Sequence, residues 1–177
     1  MRSASAAAAV LLVAACAELG FLRPAGDLEF DLAGRFAVQY RDEAASGSVA
    51  WRHAADGDEM LLSSPFGQGL ARLVRTREMV TLTTSEGRDA SAADAEELTE
   101  RLLGFRIPLG GLADWVRGRP AAAPPPALVR RDAAGRLAEL EQSGWRVEYL
   151  EYAAALPARL KLSYPGLELR LAISEWK

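Results

Sequence analysis

From Phe30 to Tyr40 the chain alternates. Phe30, Leu32, Phe36, Val38 and Tyr40 fall on one phase, and Asp31, Ala33, Arg35, Ala37 and Gln39 on the other. A period of two over this length predicts a strand with one apolar face. Val49, Trp51 and His53 repeat the pattern against Ser48, Ala50 and Arg52. DGDE, Asp56 to Glu59, carries the Asp-Gly signal for a tight hairpin. MLLSSP follows as the next strand, whose ladder pairing Pro65 should end. LARLV and MVTLTT predict two further strands turning near Arg77 and Glu78, with another turn at Glu86-Gly87.

The period then switches. Ser91 with Asp94 three residues on resembles a capping box. Ala95, Leu98 and Leu102 share one helical face, with Leu103 beside them, and Gly104 is placed to end the helix. A second short helix fits Leu109 to Arg117, with Leu112, Trp115 and Val116 apolar. The proline density of PAAAPPPA, Pro120 to Ala127, blocks helix and sheet alike, so it reads as an extended linker. Strands resume at Leu128 to Arg131, turn at Ala134-Gly135 into RLAELEQ, and turn at Ser143-Gly144 into WRVEY. RLKLSY turns at Pro165-Gly166 into LELRLAI, where Leu167, Leu169, Leu171 and Ile173 share a side. These runs amount to roughly ten or eleven short strands around a two-helix insert, a spacing typical of an antiparallel sandwich or barrel. Each helix is apolar on one face only and must cover something apolar; the simplest partner is the concave face of a curved sheet.

The amino terminus carries a different pattern. Arg2 precedes an apolar stretch, Ala4 to Ala15. That is short of the roughly 20 residues a transmembrane helix needs, and it suits a signal-peptide core followed by small residues. Val13-Ala14-Ala15-Cys16 resembles the bacterial lipoprotein box, in which the cysteine sulfur is alkylated by lipid and the chain is cleaved before it. On this reading 1–15 is a lipoprotein signal peptide, 16–27 a lipidated tether, and 28–177 a single barrel domain with a helical insert at about 91–118.

Composition narrows the functions available. Half of the 177 residues are hydrophobic, enough for a substantial core, and the net charge of −3 is dispersed along the chain. A nucleic-acid binder would show a basic stripe. One cysteine excludes an intramolecular disulfide and any multi-cysteine metal site. The single histidine, His53, is in phase with Val49 and Trp51, and no nucleophile–carboxylate context surrounds it, so it reads as structural. Gly110-Gly111 matches no phosphate loop. Asp94, Glu96, Glu97 and Glu100 read as a solvated helix face, not a metal site. Trp51, Trp145 and Trp176 lie on strands and Trp115 on the second helix; such faces fit a filled core and a roomy apolar cavity alike. SSPFGQGL, Ser63 to Leu70, is a loop with Phe66 at its middle, either tucked over the barrel mouth or protruding toward lipid or hydrophobic cargo.

The ordered set LAGRFAV (Leu32 to Val38), GSVAWRH (Gly47 to His53), LLSSPFGQGLARL, DAEELTERLLGFRIPLGGLADWVRG, QSGWRVEY and LRLAISEW resembles the LolB family of outer-membrane lipoprotein receptors, from Leu28 to Trp176. Pro120 to Pro126 departs from the family pattern, and Phe66 stands where the family commonly has leucine. The resemblance implies a mostly β fold with a small α insert, a LolA/LolB-like incomplete antiparallel barrel under a helical lid. It implies a monomer anchored in the outer membrane, facing the periplasm, through an N-acyl diacylglyceryl lipid on Cys16, with no cofactor, no metal, no catalysis and no nucleic acid. Such a protein takes acylated lipoproteins from a periplasmic LolA-like carrier into a hydrophobic cavity and passes them to outer-membrane lipid. Phe36, Val38, Trp51, Leu98, Leu102, Trp115, Trp145, Val147 and Leu171 are assigned to that cavity, and Phe66 to a membrane-insertion loop. The alternative is a structural or protein-binding outer-membrane lipoprotein with a filled core.

Overall fold

A computed structural model describes residues 27–103 and 106–177. The signal-peptide segment, Cys16, most of the tether and the expected helix end at Gly104 lie outside the described residues. The strands are β1 (Leu28–Tyr40), β2 (Glu43–Ala54), β3 (Gly57–Ser63), β4 (Gly69–Arg75), β5 (Val80–Thr84) and β6 (Asp89–Ala92), then β7 (Leu128–Arg131), β8 (Leu137–Gln142), β9 (Trp145–Ala153), β10 (Leu156–Tyr164) and β11 (Leu167–Trp176). Between β6 and β7 come helices α1 (Ala95–Leu103) and α2 (Leu109–Val116).

All strands among the described residues join one antiparallel sheet in the order β6-β5-β4-β3-β2-β1-β11-β10-β9-β8-β7. Chain neighbours pair as hairpins, and the long β1 and β11 stitch the two halves together from Leu32↔Trp176 to Tyr40↔Leu167. β6 and β7 are the edges, so the barrel is incomplete, and the helices fill it. Inward positions of both halves share one hydrophobic cluster with Leu98, Leu109, Leu112, Trp115 and Val116.

The alternation sets which face turns in. Outward positions carry charge in cross-strand rows, such as Arg52 to Asp31 at 3.1 Å, Arg72 to Glu59 at 2.7 Å and Lys161 to Glu148 at 2.7 Å. A membrane-spanning barrel would carry an apolar band there. Two motif glycines let backbones approach. A Cβ on Gly34 would lie 2.4 Å from Ala172 O, and one on Gly47 2.0 Å from Ser63 O.

The structure corrects three local expectations and adds a fastening for the proline-rich segment. The β2–β3 turn is Ala55-Asp56, so Asp58 and Glu59 are strand residues, both buried. Ser91 belongs to β6, a strand the alternation did not announce. The cap is Asp94, whose Oδ1 accepts the Glu97 N–H at 2.7 Å. The proline-rich segment is held down by Gln142, which is 2% exposed. Its side-chain oxygen accepts from Trp115 Nε1 and Ala121 N, and its amide donates to Ala121 O and Pro124 O.

An ionic network closes the end where β1 begins. His53 Nδ1 lies 2.6 Å from Asp58 Oδ1, which also accepts from Trp51 Nε1 at 2.7 Å. Arg75 Nε donates to the other oxygen of Asp58. Across the gap, Glu29 meets Arg117, just past α2, at 2.5 Å, and Arg117 also reaches Asp114 at 3.2 Å. Burial works against the Asp58 carboxylate, but the His53 hydrogen bond, the His53 and Arg75 charges and the Trp51 N–H outweigh it and hold the carboxyl below its ordinary value of 3.8. Its contribution to stability is therefore complete above the unfolded pKa and is lost as pH falls through the lower folded value. Asp58→Asn should cost about 3 kcal/mol at pH 7, the low end for breaking a buried pair, because Arg75 keeps access to water. In urea unfolding, the gap from the parent should narrow once pH drops below 3.8; an equal gap at both pH values would refute this account.

Candidate functional site

The two ends of the rolled sheet are built differently. At the end where β1 begins, the inward residues Phe30, Leu32, Trp51 and Val80 are each at most 4% exposed. Phe30 stacks on His53 at 4.9 Å and meets Trp51 edge-on at 5.0 Å. At the opposite end lie the turns β1–β2, β3–β4, β5–β6, β8–β9 and β10–β11. Here Phe36, Val38 and Tyr40 on β1, Leu62 on β3, Tyr164 on β10 and Leu169 on β11 pack on the core yet stay only partly buried. This end is the mouth.

The apolar wall extends inward along one side. Met60, Leu73 and Leu82 are cross-strand neighbours on β3, β4 and β5, and all are partly buried. On the other side Leu140, Val147 and Leu162, in the same cross-strand row as Leu169 and Val38, are 0% exposed. This side is sealed by α2. Trp115 packs against Trp145 at 6.3 Å, its Nε1 donates to Gln142 at 2.8 Å, and Tyr149 Oη donates to its carbonyl at 3.0 Å. Burial pushes the Tyr149 phenol far up, so it stays a neutral donor to α2. The inward positions from Phe36 to Tyr40 and from Met60 to Leu62 carry no charge, so the wall offers contact to apolar ligands.

Phe66 stands at the rim of the mouth, 93% exposed. Its loop is a built element. Gly67 N donates to Ser64 O at 2.9 Å, Ser64 N to Gln68 O at 2.7 Å, and Gln68 N to Ser64 Oγ at 3.2 Å. Pro65 presets the first turn residue, and Gly67, at φ +83°, takes the left-handed position that closes such a hairpin loop. The phenyl ring is thus held out in water by a hydrogen-bonded backbone.

Of the residues assigned from sequence, Phe36 and Val38 lie on the partly buried wall, and Leu171, 9% exposed, borders it. Trp51, Leu98, Trp115, Trp145 and Val147 sit in the packed core, each at most 3% exposed. Leu102 shares the stripe of Leu98 on α1 but is 45% exposed. Sequence reasoning missed Met60, Leu62, Leu73, Leu82 and Leu169. Their signal was present, since Met60 and Leu62 keep the phase of Trp51 and Val49 across the β2–β3 hairpin, but the short strands did not declare which phase faced in. His53 is held by Asp58 on Nδ1, and its Nε2 faces Glu29 at 4.0 Å, so both ring nitrogens point at carboxylates.

The model of the family described as outer membrane lipoprotein LolB matches residues 28–176. The outer-membrane lipoprotein LolB of Azoarcus sp. is 40% identical, over 99% of this chain and 94% of its own. That of Thiobacillus denitrificans is 41% identical over 82% and 78%, and that of Chromobacterium violaceum 32% over 94% of each. Among solved structures, a LolA superfamily protein from Nitrosomonas europaea aligns with a TM-score of 0.48 at 10% identity, covering 83% of this chain and 85% of that one. The wall, the rim phenylalanine and the motif glycines fall within the matched span, and the chain belongs to the LolB family of outer-membrane lipoproteins.

Proposed function

We propose that this protein receives acylated lipoproteins from a periplasmic LolA-like carrier and delivers them to the outer membrane, with Cys16 bearing the lipid anchor. The observation that carries the reading is the partly buried apolar wall at the mouth, where Phe36, Val38, Leu62 and Leu169 lack full cover. Family membership supplies the direction: the relatives are outer-membrane lipoproteins. Each methylene withdrawn from water is worth about 0.8 kcal/mol, so a 16-carbon acyl chain left exposed costs on the order of 10 kcal/mol. A carrier-to-membrane route therefore needs an apolar surface at every stage. Transfer runs downhill without a nucleotide if the receptor holds the chains better than the carrier does and the bilayer better still. No covalent step is required, and His53, committed to Asp58, serves the fold.

Phe66 has a separate task in this scheme. A rigid loop presenting one phenyl ring beside the mouth would enter the acyl boundary of the bilayer and open a path for the cargo. The packed tryptophans also fit a binding lipoprotein with a filled core, which would hold no acyl chain.

Phe66→Glu should leave stability unchanged within about 0.5 kcal/mol, as for other fully exposed positions, and slow release of a purified lipoprotein from its carrier into outer-membrane vesicles. Release at the parent rate would remove Phe66 from the mechanism. A soluble form lacking 1–15, with Cys16→Ala, should still bind a fluorescent palmitoyl probe. A folded soluble form that binds none would favour the filled-core alternative and overturn the separation of anchor from receptor.

A further inference from the structure

At the mouth, β2 outruns the strand beside it. It pairs with β1 along its whole length, from Tyr40↔Glu43 to Leu28↔Ala54, but with β3 only from Ser48↔Ser63 onward. The Phe66 loop explains the mismatch. Ser64 and Pro65 would continue the β3 ladder, yet Ser64 N donates to Gln68 O and Pro65 has no N–H to give. Two hairpins fix which backbone groups β2 presents on this bare side. The β1–β2 turn is Arg41-Asp42, which makes Tyr40↔Glu43 a hydrogen-bonded pair. The β2–β3 turn is Ala55-Asp56, which does the same for Ala54↔Gly57. Alternation from either turn agrees: Ala44 and Ser46 direct N–H and C=O away from β1, in phase with Ser48. Among the described residues no strand receives these groups, and both residues are exposed. Ala44-Ala45-Ser46-Gly47 also lacks charge, proline and bulk, the features that ordinarily guard a bare edge. It adjoins the apolar wall, because Val38 pairs with Ala45 and Phe36 with Gly47.

We propose that this edge binds the first residues of the acylated cargo as an added antiparallel strand, held by the backbone groups of Ala44 and Ser46. Strand polarity selects the occupant. β2 runs from the mouth inward, so a chain added antiparallel to it has its amino terminus inside and leaves through the mouth. A lipoprotein acylated on its amino-terminal cysteine needs that sense, with its acyl chains against Phe36, Val38 and Leu62 and its polypeptide outside. The mode of recognition fits as well. Lipoproteins of differing sequence share only their acyl chains and their main chain, and strand addition reads the main chain. With two residues to offer, the edge takes a short segment and cannot seed a longer ladder. The assignment rests on the acyl-receptor reading and adds a peptide subsite to it.

Two ligands test this on the soluble Cys16→Ala form: a fluorescent palmitoyl probe, and a pentapeptide beginning with a dipalmitoylated cysteine. Ser46→Pro removes one outward N–H and leaves the β1 ladder intact. It should weaken lipopeptide binding about tenfold, as for one well-made hydrogen bond, and leave palmitoyl binding within about twofold. On unsubstituted Ser46, lipopeptides methylated on the amide nitrogens of residues two and four, or of three and five, should differ about tenfold, because only alternate amides face β2. Equal affinities for the two methylated ligands would overturn the peptide subsite and leave the receptor reading intact. So would a folded Ser46→Pro variant that keeps its lipopeptide affinity or loses both ligands alike. Self-association that Ser46→Pro abolishes would give the edge to a second copy and overturn the assignment as well. Binding of neither ligand by the folded, unsubstituted Ser46 form would take down the receptor reading together with this one. If Ser46→Pro does not fold, the methylated pair alone decides.

Discussion

A sheet of eleven strands, charged on one face and apolar on the other, has a single acceptable shape in water: it must roll, with the apolar face inside. Everything else here follows from how that rolling is left unfinished. The edges β6 and β7 do not meet, and the chain that joins them supplies the two helices. These do what the missing ladder cannot, covering apolar surface while satisfying their own backbone hydrogen bonds. The rows of opposite charge outside and the aliphatic rows inside are two readings of the same alternation.

Within that shape, packing is graded. The end closed by Asp58, His53 and Trp51 is fully buried, and α2 extends this burial over Leu140, Val147 and Leu162 on β8–β10. Toward the mouth, and along β3–β5, the same inward phase is only partly covered. An enclosed, fully packed interior would be more stable. A partly covered one retains contact surface for a ligand that water rejects. The fold thus separates the work: one half holds the structure together, and the other remains available.

Much of this was legible in the chain. The alternation from Phe30 to Tyr40, the SG and PG turns and the paired helices place the strands and the insert, because those signals are local and strongly periodic. What escaped is what depends on partners. Ala153-Ala154-Ala155 carries no turn chemistry, yet Ala154 sits at φ +55° in a tight hairpin because β9 and β10 pair on either side of it. DASA, too short to show a period, becomes β6 only because β5 pairs with it. Gln142 looked like one more polar strand residue, and its role as the clasp of the proline-rich segment is visible only once Trp115 and Pro124 converge on it. For the site, the apolar phase was evident, but the degree of cover at each position is a property of the opposite wall. That is why Trp51 and Val147 turned out fully packed while Met60 and Leu73 were overlooked.

The unfinished edges have a further consequence. A bare strand edge is a template on which another chain can add, and a protein that collects hydrophobic cargo would be a poor place for such a template. Both edges are four residues long. One carries Asp89 at its start, and the other ends in Arg130 and Arg131, with Arg130 anchored to Glu139. Their brevity and charge limit how far a second copy could extend the ladder. The barrel can stay open for its ligand without becoming a seed for fibres.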